Sequence, residues 1–234
     1  MYKRIKKKLQ SWWAKTSSDR YIQYLREKGV LVGHGCHIDP KTSMIDITRP
    51  SLVEIGDNVY MNSYFTLLTH DFVSGVFIHS NRCFLPSSGK VTIGNNCGFG
   101  RNVMILKGVS IGDNVFVGAN SVVNKDIPSN SIAVGNPCKV VKSLEEFYQI
   151  RKEKCVEEAF IYARSIKERF GRLPVASDFW EEFPLFVDGK DVDSYPMIPI
   201  KRQLGPMYDE YCKSHKARFN GLNDFLKAAG IYEE

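Results

Sequence analysis

Between Ile93 and Pro128 an apolar residue returns at every sixth position: Ile93, Phe99, Ile105, Ile111, Val117 and Val123. The fifth place of each hexad carries Cys97, Val103, Val109, Val115, Ser121 or Ile127, and Gly or Asn fills many of the places between. A period of six is neither the two of a strand nor the 3.6 of a helix, and it fits a short strand followed by a tight turn, repeated. Gly and Asn tolerate the left-handed backbone that sharp corners demand. The opening residue of each hexad is expected to point into a narrow core, with three hexads making one triangular coil. Stacked coils would pair as parallel strands about 4.7–4.9 Å apart.

The same pattern is weaker upstream. Val32, Ile38 and Met44 are six apart, residues 46–52 interrupt, and the phase resumes at Ile55, Met61 and Leu67. Residues 71–90, with Gly75, Pro86 and Gly89, break the period and read as a loop excursion from one corner. Solenoids accept insertions at corners, where they commonly build a binding face. Residues 3–15 read as a basic amphipathic helix, expected to pack on the solenoid flank through Trp12 and Trp13; a place on an anionic membrane surface is the alternative. Ser18 or Asp19 is expected to cap a second helix that Gly29 stops. After Val141, Ser143 and Glu146 form a capping-box pattern, and helical periodicity runs to Gly171. Ser177 or Asp178 would cap a short segment around Trp180, residues 187–206 read as loop, and 206–229 as a final helix. The expected division is 1–29 (N-terminal helices), 30–142 (repeat domain) and 143–234 (helical extension), the last covering the open end of the solenoid.

Composition narrows the class. The 234 residues are 43% hydrophobic, enough for a substantial core, and no apolar run reaches the ~20 residues of a membrane span. The N-terminus lacks the pattern of a secretory signal, so a cytoplasmic location is expected. Six scattered cysteines without C-x-x-C spacing suggest reduced structural thiols. The net charge of +6 is spread along the chain without a nucleic-acid motif, so a polyanionic small ligand explains it as well as nucleic acid. His34, Cys36 and His37 match no standard zinc spacing and read as turn or surface residues.

With Val134-Gly-Asn-Pro-Cys-Lys-Val140 after the last hexad, residues 30–142 resemble the hexapeptide-repeat acetyltransferases, including the maltose, galactoside and xenobiotic acetyltransferases. The resemblance implies an all-β, left-handed parallel β-helix with flanking N-terminal helices and a C-terminal α-helical extension. It also implies acetyl-CoA as co-substrate, no required metal, and a homotrimer with active sites between subunits. The run from Glu54 to Asp71 further resembles the branch that O-acetylates capsule and lipopolysaccharide sugars. A saccharide acceptor, carried on a lipid in some settings, is therefore expected.

Acetyl transfer to a hydroxyl needs a base, and histidine suits it because its ordinary pKa of about 6.5 leaves it mostly neutral at pH 7. His70 closes a coil where the excursion begins, a placement similar to the family's catalytic histidine; His79 is the rival, and His215 lies far into the tail. Asp71 is its neighbour, but adjacent strand residues point to opposite sides. The partner orienting His70 is expected to be a backbone carbonyl or a residue the sequence does not identify. For the donor, the resemblance points to Gly100, Arg101, Gly118, Ala119, Asn124, Lys125, Lys139 and Lys142, the lysines as phosphate contacts. For the acceptor, Asn62, Tyr64, Asp71 and His79 are candidates, with Ser63 between the first two. Acetylation of an amino sugar or an antibiotic is the nearest alternative. A zinc carbonic anhydrase on a similar β-helix, which needs three converging histidines, and a non-catalytic scaffold are more remote.

Overall fold

The computed structural model describes residues 12–232, and the chain divides into two compact units between Tyr148 and Gln149. In the first unit, helix α1 (Ser18–Lys28) precedes four three-strand coils. They are β1 (Leu31–Val32), β2 (His37–Ile38) and β3 (Met44–Ile45); β4 (Val53–Ile55), β5 (Tyr60–Met61) and β6 (Thr66–Leu67); β7 (Val91–Ile93), β8 (Gly98–Phe99) and β9 (Met104–Ile105); and β10 (Ser110–Ile111), β11 (Val115–Val117) and β12 (Val122–Val123). Every third strand pairs in parallel: β1-β4-β7-β10, β2-β5-β8-β11 and β3-β6-β9-β12 form the three walls. Strands β13 (Ser131–Val134) and β14 (Lys139–Ser143) finish the second wall, β14 running antiparallel.

The six-residue period does what the sequence implies. Ile93, Phe99, Ile105, Ile111, Val117 and Val123 are all buried, and so are the fifth-place residues from Cys97 to Ile127. Phe65 and Phe99 meet edge to face at 5.1 Å inside the coil. Burying each such ring is worth about 1.5–3 kcal/mol. At the corners, Asn58, Asn96, Asn102, Asn114, Asn120 and Asn130 take positive φ. Their side chains also join coil to coil, Asn96 donating to Asn114 (2.8 Å), Asn114 to Asn130 (3.0 Å) and Asn102 to Asn120 (2.9 Å). The same asparagines thus supply turn conformation and a hydrogen-bonded ladder between repeats.

One end of the core is covered by α1, whose Tyr21, Ile22 and Leu25 join it. Ser17, rather than Ser18 or Asp19, caps this helix by accepting from the Arg20 amide, while Ser18 uses its hydroxyl on the Ile38 amide of the first coil. Gly29 stops it at φ 99°, as expected. The predicted helix 3–15 lies mostly outside the described residues. Trp12 is exposed rather than packed, and Trp13 lies beneath the Arg20 guanidinium. The first coil also departs from the predicted phase: Met44 is exposed and Ile45 is buried, because the corner after Ile38 is one residue longer than in the regular coils. The excursion is not all loop, since α2 (Ser74–Ser80) folds within it.

Ser143 and Glu146 make the predicted capping box, the Glu146 amide donating to the serine hydroxyl and the carboxylate accepting from the Ser143 amide. It opens α3 (Leu144–Phe170). The second unit has its own core, in which Phe179, Phe183, Phe186 and Phe225 cluster with Ala159, Ala163 and Ile166. Its segments are shorter than predicted. Turns of 3-10 helix run over Ala176–Asp178, Phe183–Leu185 and Gly189–Ser194, and α4 (Ile200–Leu204) falls in the stretch read as loop. The final helix is broken into α5 (Tyr208–Ser214) and α6 (Gly221–Ala228). Beyond α3, clustering of aromatic rings rather than a helical period organises this unit. No described helix is long and apolar enough to cross a membrane.

Candidate active site

Ile45, Leu67 and Ile105 are register partners in successive coils of the third wall. The residues just beyond them share one corner of the stack. There the first coil supplies Asp46, the second supplies Thr69, His70 and Asp71, and the third supplies Lys107.

His70 Nδ1 lies 2.6 Å from Asp46 Oδ2. The Asp46 side chain is nearly buried, while that of His70 is one-third exposed. The same carboxylate accepts from the Thr48 amide (2.9 Å) and hydroxyl (2.6 Å), and from the Thr69 amide (3.2 Å) and hydroxyl. Burial alone would raise the Asp46 carboxyl pKa. Hydrogen bonds from Thr48, Thr69 and His70 outweigh it and hold the group well below the ordinary carboxylate range. An ionised carboxylate can only accept, so Nδ1 carries a proton, and in the neutral form of the ring Nε2 keeps its lone pair. This is the arrangement a general base requires: one nitrogen anchored and the other available.

Asp46 is the orienting residue that sequence reasoning missed. It lies in the stretch that interrupts the repeat, 24 residues before its histidine. Regular coils here repeat every 18, as in Thr92 to Ser110, so periodicity does not align the two. Asp71 has other partners. Its Oδ1 accepts from the Val73 amide, and its Oδ2 from Ser87 (2.8 Å) and Lys107 (2.9 Å).

The remaining candidates scatter around this corner and beyond. His79 is exposed on α2. His215 lies in the second unit, its Nε2 2.8 Å from the Pro184 carbonyl and its ring stacked on Tyr211. Asn62 accepts from the Ser63 amide at the opposite end of β6, and Tyr64 there adopts φ 64° with its exposed ring 5.8 Å from the Arg101 guanidinium. Asn124, Lys125, Lys139 and Lys142 are exposed, the last two on β14. The small residues have a reason in the stack itself. A Cβ on Gly100 would sit 2.6 Å from the Ala119 amide nitrogen, and one on Gly118 2.7 Å from a Val134 methyl. His34 is fully exposed beside Asp57, and His37 stacks on Tyr60. Among the described residues no group of three or more His, Cys, Asp or Glu is placed to hold a metal ion. A cleft of about 470 Å³ in the second unit, with Asp188, Lys190, Tyr195 and Arg218 in its walls, includes none of the predicted residues.

Residues 90–125 match the family described as bacterial transferase hexapeptide (six repeats). A Staphylococcus aureus (strain MRSA252) protein, provisionally described as an acetyltransferase, is 51% identical over 69 residues, 30% of this chain and 34% of the relative. The galactoside O-acetyltransferase of Escherichia coli (strain K12) is 41% identical over 99 residues, 40% of this chain and 45% of that one. The chain spans about a third of the length of the first of these and under half of the second. Among solved structures, a hexapeptide-repeat acetyltransferase of Vibrio cholerae complexed with acetyl-coenzyme A is 22% identical, covering 58% of this chain and 83% of that one with a TM-score of 0.46. The repeat and the sequence relatives show that the resemblance is to hexapeptide-repeat acetyltransferases.

Proposed function

We propose that the protein is an acetyl-CoA-dependent O-acetyltransferase acting on a sugar hydroxyl of a capsule or lipopolysaccharide precursor, with His70 as general base. The observation that carries this reading is the 2.6 Å contact between His70 Nδ1 and Asp46, which directs Nε2, in the neutral ring, to be the accepting nitrogen. Support for the sugar acceptor comes from the galactoside O-acetyltransferase relative. The coil is read as left-handed and the working assembly as a homotrimer, whose flat walls suit packing around a threefold axis. The reaction is placed in the cytoplasm, with membrane contact through residues 1–15 as a further element of the proposal.

Acetyl-coenzyme A supplies a thioester carbonyl activated toward oxygen nucleophiles. The residues present fit such a donor: Arg101, Lys125, Lys139 and Lys142 are exposed cations on the repeat and its terminal hairpin, suited to phosphates as positive charges. In the reaction the acceptor oxygen forms its bond to the acetyl carbon as His70 Nε2 takes the hydroxyl proton. Asp46 stabilises the resulting imidazolium and keeps the ring in place. The ring then returns the proton to the departing thiolate, so base and acid are one residue and no acyl-enzyme forms.

Thiol release from acetyl-CoA, measured against sugars, nucleotide sugars, lipid-linked oligosaccharides and amino sugars, tests the reading. Acceptor-dependent release by wild type that falls at least about a hundredfold in His70→Ala is expected. Release that survives in His70→Ala and collapses in His79→Ala would move the base to the excursion.

A further inference from the structure

The excursion leaves the coil at Asp71 and returns at Lys90, beside the histidine. Its two ends meet closely: His70 and Ser88 form an antiparallel bridge, and the Gly89 amide donates to the Thr69 carbonyl at 2.9 Å. The return leg also rests on the third coil, where a Cβ on Gly89 would come within 2.7 Å of the Gly108 amide nitrogen. Beside this contact, Lys107 extends from the third coil to both ends at once. Its ammonium lies 2.9 Å from Asp71 Oδ2 on the outgoing leg and donates to Ser87 Oγ on the returning leg. The Ser87 hydroxyl donates to Asp71, closing a triangle.

We infer that Lys107 is a positioning residue that clamps the excursion over the His70 corner, so that the excursion forms one wall of the acceptor site. This rests on the acetyltransferase reading above. The clamp joins three stretches distant in sequence, and it does so within two residues of the base. Between its feet the excursion has little to hold it. Phe72, Val76 and Phe84 are all more than 60% exposed, and the buried Ser74 bonds the Leu85 carbonyl within the excursion itself rather than the coil. Local order in such a segment depends on a few polar contacts. The contact has a reason to be lysine: three donors on one tetrahedral head reach a carboxylate and a hydroxyl together. Hydrogen bonds from Lys107, the Val73 amide and Ser87 lower the Asp71 carboxyl pKa to about 2, so this carboxylate is ionised throughout the neutral range.

The test is Lys107→Met, which keeps the stem and removes the charge, compared with Lys107→Arg and with Asp71→Asn. Amide hydrogen exchange on the full chain reports order without any substrate. Residues 72–88 are expected to exchange roughly three- to fivefold faster in Lys107→Met, with α1 and the coil strands unchanged, and Lys107→Arg is expected to restore at least part of the protection. In steady state the KM for the acceptor should rise while the KM for acetyl-CoA stays within about twofold. Unchanged exchange in the excursion, or a rise in KM for acetyl-CoA alone, would overturn the clamp. Absence of acetyl transfer in wild type would instead remove the acetyltransferase reading, and the exchange result would still decide whether Lys107 orders the excursion.

Discussion

Replacing Asp46 by Asn tests the site with almost no change in shape. The carboxylate accepts from Thr48 on one oxygen and from Thr69 and His70 on the other. An amide has one acceptor and one donor end, so whichever way it turns, its NH2 faces a backbone amide that had been bonded. Leaving a buried donor unsatisfied costs about 1–3 kcal/mol, and that is the stability loss expected in urea unfolding. The catalytic loss is larger and has a different origin. If the NH2 faces His70, it donates to Nδ1, and the ring proton moves to the nitrogen that must accept from the substrate. If it faces Thr48, the ring loses its anionic partner just when it becomes an imidazolium. Either route predicts a fall in kcat of about 10²–10⁴, with kcat/KM falling in step. Because Asp46 acts through His70, the double variant Asp46→Asn/His70→Ala should lose no more than His70→Ala alone. A kcat within about threefold of wild type, in a variant that is folded by circular dichroism, would refute the role assigned to Asp46. The pH dependence has a definite sign. The folded carboxyl pKa is depressed, so its contribution is present above the ordinary value near 3.9 and drains away as pH falls through the lower folded value. Wild type should lose more stability than Asp46→Asn on acidification below about pH 4.

Other substitutions address the scaffold. Phe99→Ala, at a side chain 1% exposed and edge-on to Phe65, should cost about 3–5 kcal/mol in urea unfolding; a loss under about 1 kcal/mol would mean the coil core collapses into the space. Asn114→Gly keeps the left-handed turn at φ 57° but loses both ladder bonds, whereas Asn114→Ala adds the strain of a Cβ, about 1–2 kcal/mol. The midpoints should therefore rank wild type, Gly, Ala, and equal midpoints for Gly and Ala would contradict the strain argument. Tyr211 donates to the Val187 carbonyl at 2.7 Å, and burial followed by the nearby Asp188 charge pushes its hydroxyl pKa up. Its stabilisation is present below about pH 10 and lost as pH rises through the raised value; Tyr211→Phe should cost about 1 kcal/mol at pH 7 and be less sensitive to alkali.

The regular coils were readable because geometry there is local. A left-handed Asn or Gly at most corners and a buried apolar residue every six positions are written in consecutive positions, and Ile93 to Ile127 fall where the pattern puts them. The site was readable only in half. His70 sits at a coil end and could be found by position, but Asp46 reaches it through stacking, across a corner whose length breaks the period. The pairing is a contact between layers, which a one-dimensional repeat reveals only where every layer has the same length. Met44 and Ile45 show the same failure in miniature: one extra residue turned the expected core side chain outward. Beyond α3, the second unit offers little period to read, since 3-10 turns and short helices are held by ring contacts such as Phe179 with Phe186 and Phe225.

The stacking of the first wall carries a consequence for how such a protein changes over time. Thr92 follows its partner Glu54 by 38 residues, yet Ser110 follows Thr92 by 18, and both pairs sit in the same parallel register. A whole excursion has entered between two layers without displacing either. The coil behaves as a bookshelf, where a volume of any thickness can project from one shelf while the uprights stay true. New segments can therefore be tried at the His70 corner by exchanging one stretch of chain, with the histidine and its carboxylate partner left untouched.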